Sequence, residues 1–596
     1  MITQMKKYTF LVFHRDYEPF LEQLREIGVV HVTQKAAGLI ENDEALQAAL
    51  QHEDELRRLL KQGAPDQLIA ERANIEQRIA DAKAAAQLAS VWGDFDSQRI
   101  LALQDAGYTL HCFVCSTKAF REEWGIPVNE KDGKTYFVVI NDANNADNAN
   151  YENNENYATP LPLPDKSEAQ WLQEVEHLNG LLTAANARIE AWQLANIDNL
   201  KRQLEEARQQ IDWQRVTLST DKLAEGALCL FEGFCPIDRE PELNAMLAEA
   251  QVYYEETDPD KEDATPIKLR NNWFTKLFEP LTGMYGWPNY NEFDPTPILA
   301  PFYLLFFALC VGDAGYGLAL ILIGWLIAKE KLRIEMFEGL GPIIMALGVG
   351  CTVVGYLSGT FFGIDIYQAD WFPAWAKAPM LKSWFGDGSG MWMGYDIMMV
   401  LALIIGIFHI CLAMTVKAIC YTKQNGFHAT ASTWGWLLLI VGGIATGVLA
   451  ATSVLGPKTT QIILIVIAAI SALGIFIFNT PGRNPLINIG SGLWDTYQMA
   501  TGILGDVLSY LRLYALGMAG AMLGAAFNDL GLTVLGENPN VGTAVGFVLI
   551  VLFGHVLNLL MACLGAFVHP LRLTFVEYFK NVGYEGSGKK YTPFKI

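Results

Sequence analysis
From residue 298 onward the chain is a succession of apolar runs long enough to cross a bilayer, and two of those runs contain an arginine. Arg512 sits within Leu504-Gly505-Asp506-Val507-Leu508-Ser509-Tyr510-Leu511-Arg512-Leu513-Tyr514, and Arg572 within His569-Pro570-Leu571-Arg572-Leu573. A guanidinium keeps its proton in a protein. At the bilayer centre it costs ~3 kcal/mol on insertion scales, so it marks an ion path, a partner charge, or a helix end from which the side chain reaches back to the interface. Apolar sequence on both sides of Arg512 argues against a helix end there. Arg572 has Glu577 and Lys580 close behind it, and both readings stay open.

The first half differs in charge. Before residue 297 there are 50 acidic and 28 basic residues; from 297 onward there are 14 and 15. An acidic soluble half argues against nucleic acid and against lying on anionic lipid. It suits basic protein partners, or solubility alone. Met1 to Arg15 alternates like a strand and lacks the apolar stretch of a signal peptide, so this half is expected in the cytoplasm. With 596 residues, two or more domains are expected.

Residues 6–35 read strand, helix, strand: Tyr8 to Val12, Asp16 to Ile27, then Gly28 as a cap before Val29 to Val32. A similar set returns at 227–255, and the two sets predict one α+β lobe with a shared sheet. Between them lie two long polar helices. One runs from about Asn42 to Ala89, with a break at Gly63-Ala64-Pro65. The other opens with a capping box, Ser167 and Gln170. Its apolar stripe is Val175, Leu178, Leu182, Ala185, Ile189 and Trp192, resuming after a one-residue slip at Ile197 and Leu200. Spacings of three and four predict a coiled-coil seam. A chain that leaves and returns to one lobe pairs these helices antiparallel, as an arm of about 65 Å. Residues 91–166 would be a second small α+β lobe at its tip, with an Asn/Asp-rich loop, Asn141 to Asn156, expected to be disordered.

The clear apolar spans are about 339–362, 393–419, 434–455, 460–478, 493–529 and 543–572. Trp371, Trp375, Trp384 and Trp392 mark an interfacial loop. Residues 298–328 are long for a single span and are interrupted at Gly312-Asp313-Ala314-Gly315. If they go in and come back, as two short spans or a re-entrant hairpin, the inner loops carry 10 Lys/Arg and the outer ones 3. The positive-inside rule then predicts eight spans with both termini cytoplasmic. The expected fold is two-part. A cytoplasmic arm covers 1–265: proximal lobe 1–40 with 225–265, coiled coil 41–90 with 167–224, distal lobe 91–166. A linker, 266–297, leads to an all-α transmembrane domain, 298–596, of about eight helices, the last two long and tilted.

On the final span His555, Asn558, Ala562, Gly565, His569 and Arg572 recur at three and four, forming one face. On the span before it Asp506, Ser509 and Arg512 share a face. One polar stripe serves as ordinary helix-to-helix glue; two, each with an arginine, predict a charged seam. Two motifs are set aside. Cys112 and Cys115 form one C-x-x-C without a second pair at metal-site spacing, and in a strand they point to opposite faces. Gly583-Tyr584-Glu585-Gly586-Ser587-Gly588-Lys589-Lys590 nearly matches a phosphate-binding loop, but ends in Lys590 rather than Ser/Thr and follows a helix. No cofactor, metal site or ATP-hydrolysing motif is expected.

These residues resemble the membrane stator subunit of V/A-type rotary ATPases, subunit a in eukaryotes and subunit I in bacteria and archaea. The resemblance spans the chain. It rests on Gly28 to Val32, Phe231 to Pro236, Met284 to Pro288, Asp294-Pro295-Thr296-Pro297, Gly312 to Gly317 and Gly359 to Gly363. Its most specific parts are Leu508-Ser509-Tyr510-Leu511-Arg512-Leu513 and His569-Pro570-Leu571-Arg572-Leu573-Thr574-Phe575-Val576-Glu577. The short tip and the length look prokaryotic, implying a multi-pass protein of a prokaryotic plasma membrane. The resemblance implies that Arg512 and Arg572 face a ring of proteolipid rotor subunits and pair with each passing carboxylate. That pairing separates two offset half-channels for H⁺ or Na⁺. The arm would anchor peripheral stalks of the E/G type and meet a central-stalk cap subunit. Glu577, Gln498 and Asp495 become candidates for the cytoplasmic half-channel, with Asp506 and Ser509 beside them. The chain departs from relatives that have glutamate where Gln498 stands. It also has Ala562 and Gly520 where the eukaryotic branch has a carboxylate and a histidine. His555, Asn558 and His569 are the candidate substitutes on the outer side. The alternative is a secondary transporter with a cytoplasmic coiled-coil regulator, which predicts two pseudo-symmetric halves; no convincing repeat is visible.

Overall fold
The computed structural model of the chain describes residues 2–34, 43–93, 95–131, 133–142, 158–162, 165–250, 252–260, 263–329, 339–369, 372–384, 391–392, 394–427, 430–454, 456–477, 485–536 and 539–595. They form two compact units, Met1–Thr33 with Asp221–Lys595, and Gln34–Thr220. In chain order the elements before the apolar helices are β1 (Met5–Phe13), α1 (His14–Ile27), β2 (His31–Val32), α2 (Glu44–Gln62), α3 (Asp66–Ala89) and α4 (Ser97–Asp105). Then come β3 (Tyr108–Ser116), β4 (Ile126–Lys131), β5 (Lys134–Asp142), β6 (Thr159–Leu161) and α5 (Glu168–Ser219). The set closes with β7 (Asp221–Leu223), β8 (Leu228–Pro236), α6 (Glu240–Ala250) and β9 (Tyr253–Thr257).

The second unit is dominated by α5, whose 52 residues span about 80 Å. Its start carries the complete capping box of Ser167 and Gln170. Helix α2 is capped by Asp43, which accepts from the N–H groups of Ala45 and Leu46, and ends at Gly63 in the left-handed region. Leu46 packs with Ile211, Leu56 with Leu200 and Ala207, and Ile75, Ile79 and Ala82 with Val175, Leu178 and Ala185. Partners descend along α5 as they ascend along α2 and α3, so the helices run antiparallel. The remaining strands form a sheet of order β4-β5-β3-β6, with Phe113 stacked on Phe137 at its centre. Cys112 and Cys115 both lie buried in β3, and burial pushes the Cys112 thiol up to about 11 and the Cys115 thiol upward. The loop expected from Asn141 starts later: Asn141 and Asp142 complete β5 opposite Thr109 and Tyr108, and 143–157 lie outside the described residues.

In the first unit the two βαβ sets share one antiparallel sheet, β2-β8-β1-β9, with β7 added beside β8. Helix α1 lays Phe20 against Phe10 and Phe231. Gly28, at φ 60, ends α1 where a side chain would meet Lys595. The C-terminal tail binds this lobe. Thr592 O lies 2.7 Å from His31 Nδ1, Phe594 N–H donates to Val30 O at 2.8 Å, and the Tyr591 hydroxyl reaches Val29 O. Lys589–Lys590 pairs in parallel with Pro266–Ile267, and Gly588 bridges to Trp287. Gly588 of the phosphate-loop look-alike therefore serves close backbone approach: a Cβ on it would stand 1.8 Å from Pro288 O.

The membrane part contains α7 (Thr296–Val311), α8 (Ala314–Ala328), α9 (Gly341–Ser358), α10 (Ile397–Asn425), α11 (Ala431–Ala451) and α12 (Pro457–Ala472). It continues with α13 (Pro485–Ser509), α14 (Leu511–Leu535) and α15 (Val541–Arg572). Among the described residues six helical stretches are long and apolar enough to cross a membrane, α13 and α14 counted as one; α7 and α8 are shorter. The break between α7 and α8 is built by Gly312, at φ 61, and Asp313. The Asp313 carboxylate, 1% exposed, accepts from the N–H groups of Gly315, Tyr316, Phe362 and Gly363. It thus ties the helix break to the turn after α9. Trp375 and Trp384 are exposed, in keeping with an interfacial loop, and Trp371 lies outside the described residues.

The apolar span expected over 493–529 holds as one membrane-length helical stretch, Ile489–Leu535, with a local irregularity at Tyr510, whose backbone stays helical at φ −73, ψ −18. The physical reason is lateral packing. The Tyr510 ring is fully buried and enters a gap left by Gly406, where a Cβ would come within 2.5 Å of it. Its hydroxyl meets His409 Nδ1 at 2.8 Å.

Candidate functional site
Helix α15 ends at Arg572 and passes into a wider turn, a π-helical segment over Leu573–Tyr578. Such insertions re-aim side chains within a helix. Here Arg572 and Val576 are exposed while Glu577 and Tyr578 turn inward, Glu577 to 4% exposure. Tyr578 stacks on His409, with ring centroids 4.5 Å apart and planes at 7°. His409 therefore joins α10, the Tyr510 irregularity and the wide turn into one fixed junction.

Around that junction the arginine motifs meet. Ser509 Oγ donates to Glu577 Oε1 at 2.6 Å, and Arg512 Nη2 donates to Ser509 Oγ at 3.3 Å. Asn581 Nδ2 donates to Asp506 Oδ2 at 2.7 Å and to Glu577 O at 2.6 Å. Lys580 Nζ stands 3.9 Å from Asp506. His569 lies within electrostatic reach of both Arg512 and Arg572. Yet Arg512 Nη1, Glu577 Oε2 and His569 Nδ1 are buried without a hydrogen-bond partner among the described residues. Neither arginine forms an ion pair with a described carboxylate. An unpaired buried polar atom costs ~1–3 kcal/mol, more when charged. The arrangement presents two positive charges and an open carboxylate oxygen with no internal counterpart.

A second polar group sits further back on α15. The Tyr316 hydroxyl lies 2.8 Å from His555 Nδ1, and His555 Nε2 lies 2.9 Å from Asn528 Oδ1. Asn558 Nδ2 donates to the Tyr316 hydroxyl and to Gly520 O, both at 2.8 Å. Asn528 Nδ2 donates to Phe362 O at 2.7 Å. One protonation pattern satisfies the set: Nε2–H donates to Asn528 and Nδ1 accepts from Tyr316.

The structure thus brings Asp506, Ser509, Arg512 and Glu577 together and sets Arg572 and His569 beside them. His555 and Asn558 belong to the separate group. Asp495 and Gln498 stay out of both as exposed residues further back on α13; Gln498 lies ~20 Å along the helix from Arg512. Sequence reasoning missed Tyr510, His409, Asn581, Tyr316 and Asn528. A lone histidine in the apolar run of α10 and an asparagine one turn after Glu577 were the available signals.

The pattern of the V-type ATPase 116kDa subunit family matches residues 16–347 and 498–596, so both arginine motifs and Glu577 fall inside it. The A-type ATP synthase subunit I of Methanocaldococcus jannaschii is 33% identical over 58% of this chain and 52% of its own length. The chain therefore spans about half of that relative. The V-type ATP synthase subunit I of Borreliella burgdorferi is 24% identical over 100% of this chain and 99% of its own. The V-type ATP synthase subunit I 1 of Treponema pallidum is 26% identical over the full length of both. With six membrane-length helices, relatives in bacteria and archaea, and the arginine motifs within the matched residues, this membrane protein belongs to the V-type ATPase 116kDa subunit family.

Proposed function
We propose that the chain is the non-catalytic, ion-translocating stator subunit of a V/A-type rotary ATPase in a prokaryotic plasma membrane. The observation that carries this reading is the uncompensated charge: Arg512, with Nη1 buried and unpaired, and Arg572, exposed. Each would pair with a carboxylate of a moving proteolipid ring. In a low-dielectric site that attraction is strong and favours the ionised carboxylate. The carboxylate gives up its H⁺ or Na⁺ as it meets the arginines, so ions cannot pass directly between two offset half-channels. The ring must turn for an ion to cross, which couples transport to ATP hydrolysis or synthesis on other subunits.

Glu577, Ser509 and Asp506 form the cytoplasmic approach, with Gln498 and Asp495 further out and His569 between the arginines. The residues of α2, α3 and α5 form a coiled-coil arm that anchors E/G-type peripheral stalks and meets the central-stalk cap subunit. The short helices α7 and α8 count as two of eight spans, which leaves both termini cytoplasmic. The test is Arg512→Ala in the assembled complex. ATP-driven ion transport should fall at least ~100-fold, the equivalent of ~3 kcal/mol, while the variant still copurifies with ring and ATPase subunits. Full coupled transport in that variant sinks the mechanism.

A further inference from the structure
We propose that ions reach the arginines from the membrane face opposite Glu577 through a cavity walled by α7, α10 and α14, and not along the His555–Asn558 seam. This rests on the reading above, that the arginines face a moving carboxylate. The cavity holds about 230 Å³. Lys382, Asp396, Gly312 and Thr360 line it together with Tyr514 and Gly517 of α14. Gly517 follows Arg512 by little more than one turn, ~8 Å along the axis.

Three observations favour this route. Position is the first. Asp396 caps the start of α10, accepting from Met398 N–H at 2.8 Å. The other end of α10 reaches the Glu577 side, where Tyr421 approaches Gly583. His409, stacked on Tyr578 beside Glu577, lies ~20 Å along α10 from Asp396, so the cavity and the Glu577 group meet different stretches of that helix. Charge is the second. Lys382 is neutralised by Asp365 at 2.7 Å, whereas Asp396 has no Lys or Arg partner among the described residues and faces the Tyr514 hydroxyl. A carboxylate and hydroxyls lining one cavity attract a monovalent cation and offer it oxygen ligands or proton carriers. The third is the state of the competing route. Along the seam the Asn558 amide hydrogens, the Tyr316 hydroxyl and both ring nitrogens of His555 are already paired, and Asn558 is 1% exposed. An ion moving there would have to break that set, while the cavity has open volume. Asp396 and Lys382 also lie outside both segments that the family pattern matches.

The test uses the assembled complex in liposomes, with ATP added outside and ion uptake followed by a pH-sensitive dye and by radioactive sodium. Asp396→Asn retains a good helix cap, and Tyr514→Phe retains the ring. Each should lower uptake at least ~10-fold with subunit composition unchanged, and the probe that responds identifies the ion. In a second arm, Ala521→Cys on the cavity wall should react with a membrane-impermeant cationic thiol reagent enclosed in the vesicle lumen and lose uptake, relative to the parent chain with its native cysteines. Wild-type uptake in Asp396→Asn, or an Ala521→Cys that the lumenal reagent does not touch, overturns the route. Arg512→Ala separates the two ideas. If it is inactive while Asp396→Asn is normal, only the cavity route falls; if it transports normally, the reading beneath it falls.

Discussion
The two polar groups on α15 follow opposite rules. Around Tyr316 the hydroxyl, the imidazole and the amide hydrogens are paired with one another and with backbone carbonyls. Around Ser509 a guanidinium nitrogen, a carboxylate oxygen and an imidazole nitrogen are buried and open. Both groups are polar, both lie in apolar helices, and a count of polar residues would rank them alike. Satisfaction distinguishes them: a closed set holds helices together, whereas a set with open charges needs something from outside the chain.

That contrast can be broken by substitution. Glu577→Gln keeps the shape and the acceptor for Ser509 but removes the charge; ATP-driven ion uptake should fall ~10–100-fold, and unchanged uptake would mean the carboxylate is structural. Ser509→Ala removes the link that positions Arg512 and should cost ~3–10-fold, about the net worth of one ordinary hydrogen bond, in keeping with its 3.3 Å length. Arg512→Lys in the same assay should lose more than Ser509→Ala, because an ammonium lacks the planar fork. In the closed group Asn558→Leu strands the Gly520 carbonyl and removes a donor to Tyr316. The expected effect is ~1 kcal/mol of lost stability, read as a lower melting temperature of the complex. Uptake should fall only as far as the amount of assembled complex falls; a larger loss per complex would erase the contrast.

The smallest expected effect lies outside the membrane. Burial holds the His31 imidazole below its ordinary value of 6.5, despite its contact with Thr592 O. A lowered folded value means the docked tail prefers the neutral ring. Docking is therefore fully held above 6.5 and weakens as pH falls below it through the lowered value. Amide exchange at Thr592 and Phe594 should speed up over that window, and His31→Gln should flatten the dependence.

Much of the architecture was legible because it is periodic. The stripe from Val175 to Ile211, the Ser167 capping box and the Gly28 cap each repeat or punctuate at spacings that only one backbone conformation satisfies, and the structure follows them closely. The arginine motifs were legible because charge in an apolar run is costly wherever the helix sits. Partner choice was less legible. Asp506, Ser509 and Arg512 stood out by their shared face, whereas Asp495 and Gln498 entered only through the family resemblance and lie further back on α13 as exposed residues. His555 and Asn558 fell on the expected face, but their bonding to Tyr316, Asn528 and Gly520 is a matter of partners that no face pattern reveals. Tyr510 and His409 read as ordinary members of apolar helices, because a fit between a ring and a distant glycine leaves no local trace.

The sequence by itself determined where the chain is soluble, where it is apolar, and that two guanidiniums stand in the apolar part, since hydropathy, helical period and permanent charge are properties of neighbouring residues. Only the tertiary structure decided that Tyr510 packs against Gly406 and His409 just before Arg512 and that the wide turn after Arg572 rotates Glu577 inward. It also decided which polar group is closed and which is open. These depend on distances between residues far apart in the chain, such as the 2.6 Å from Ser509 to Glu577, and no local pattern encodes such a distance.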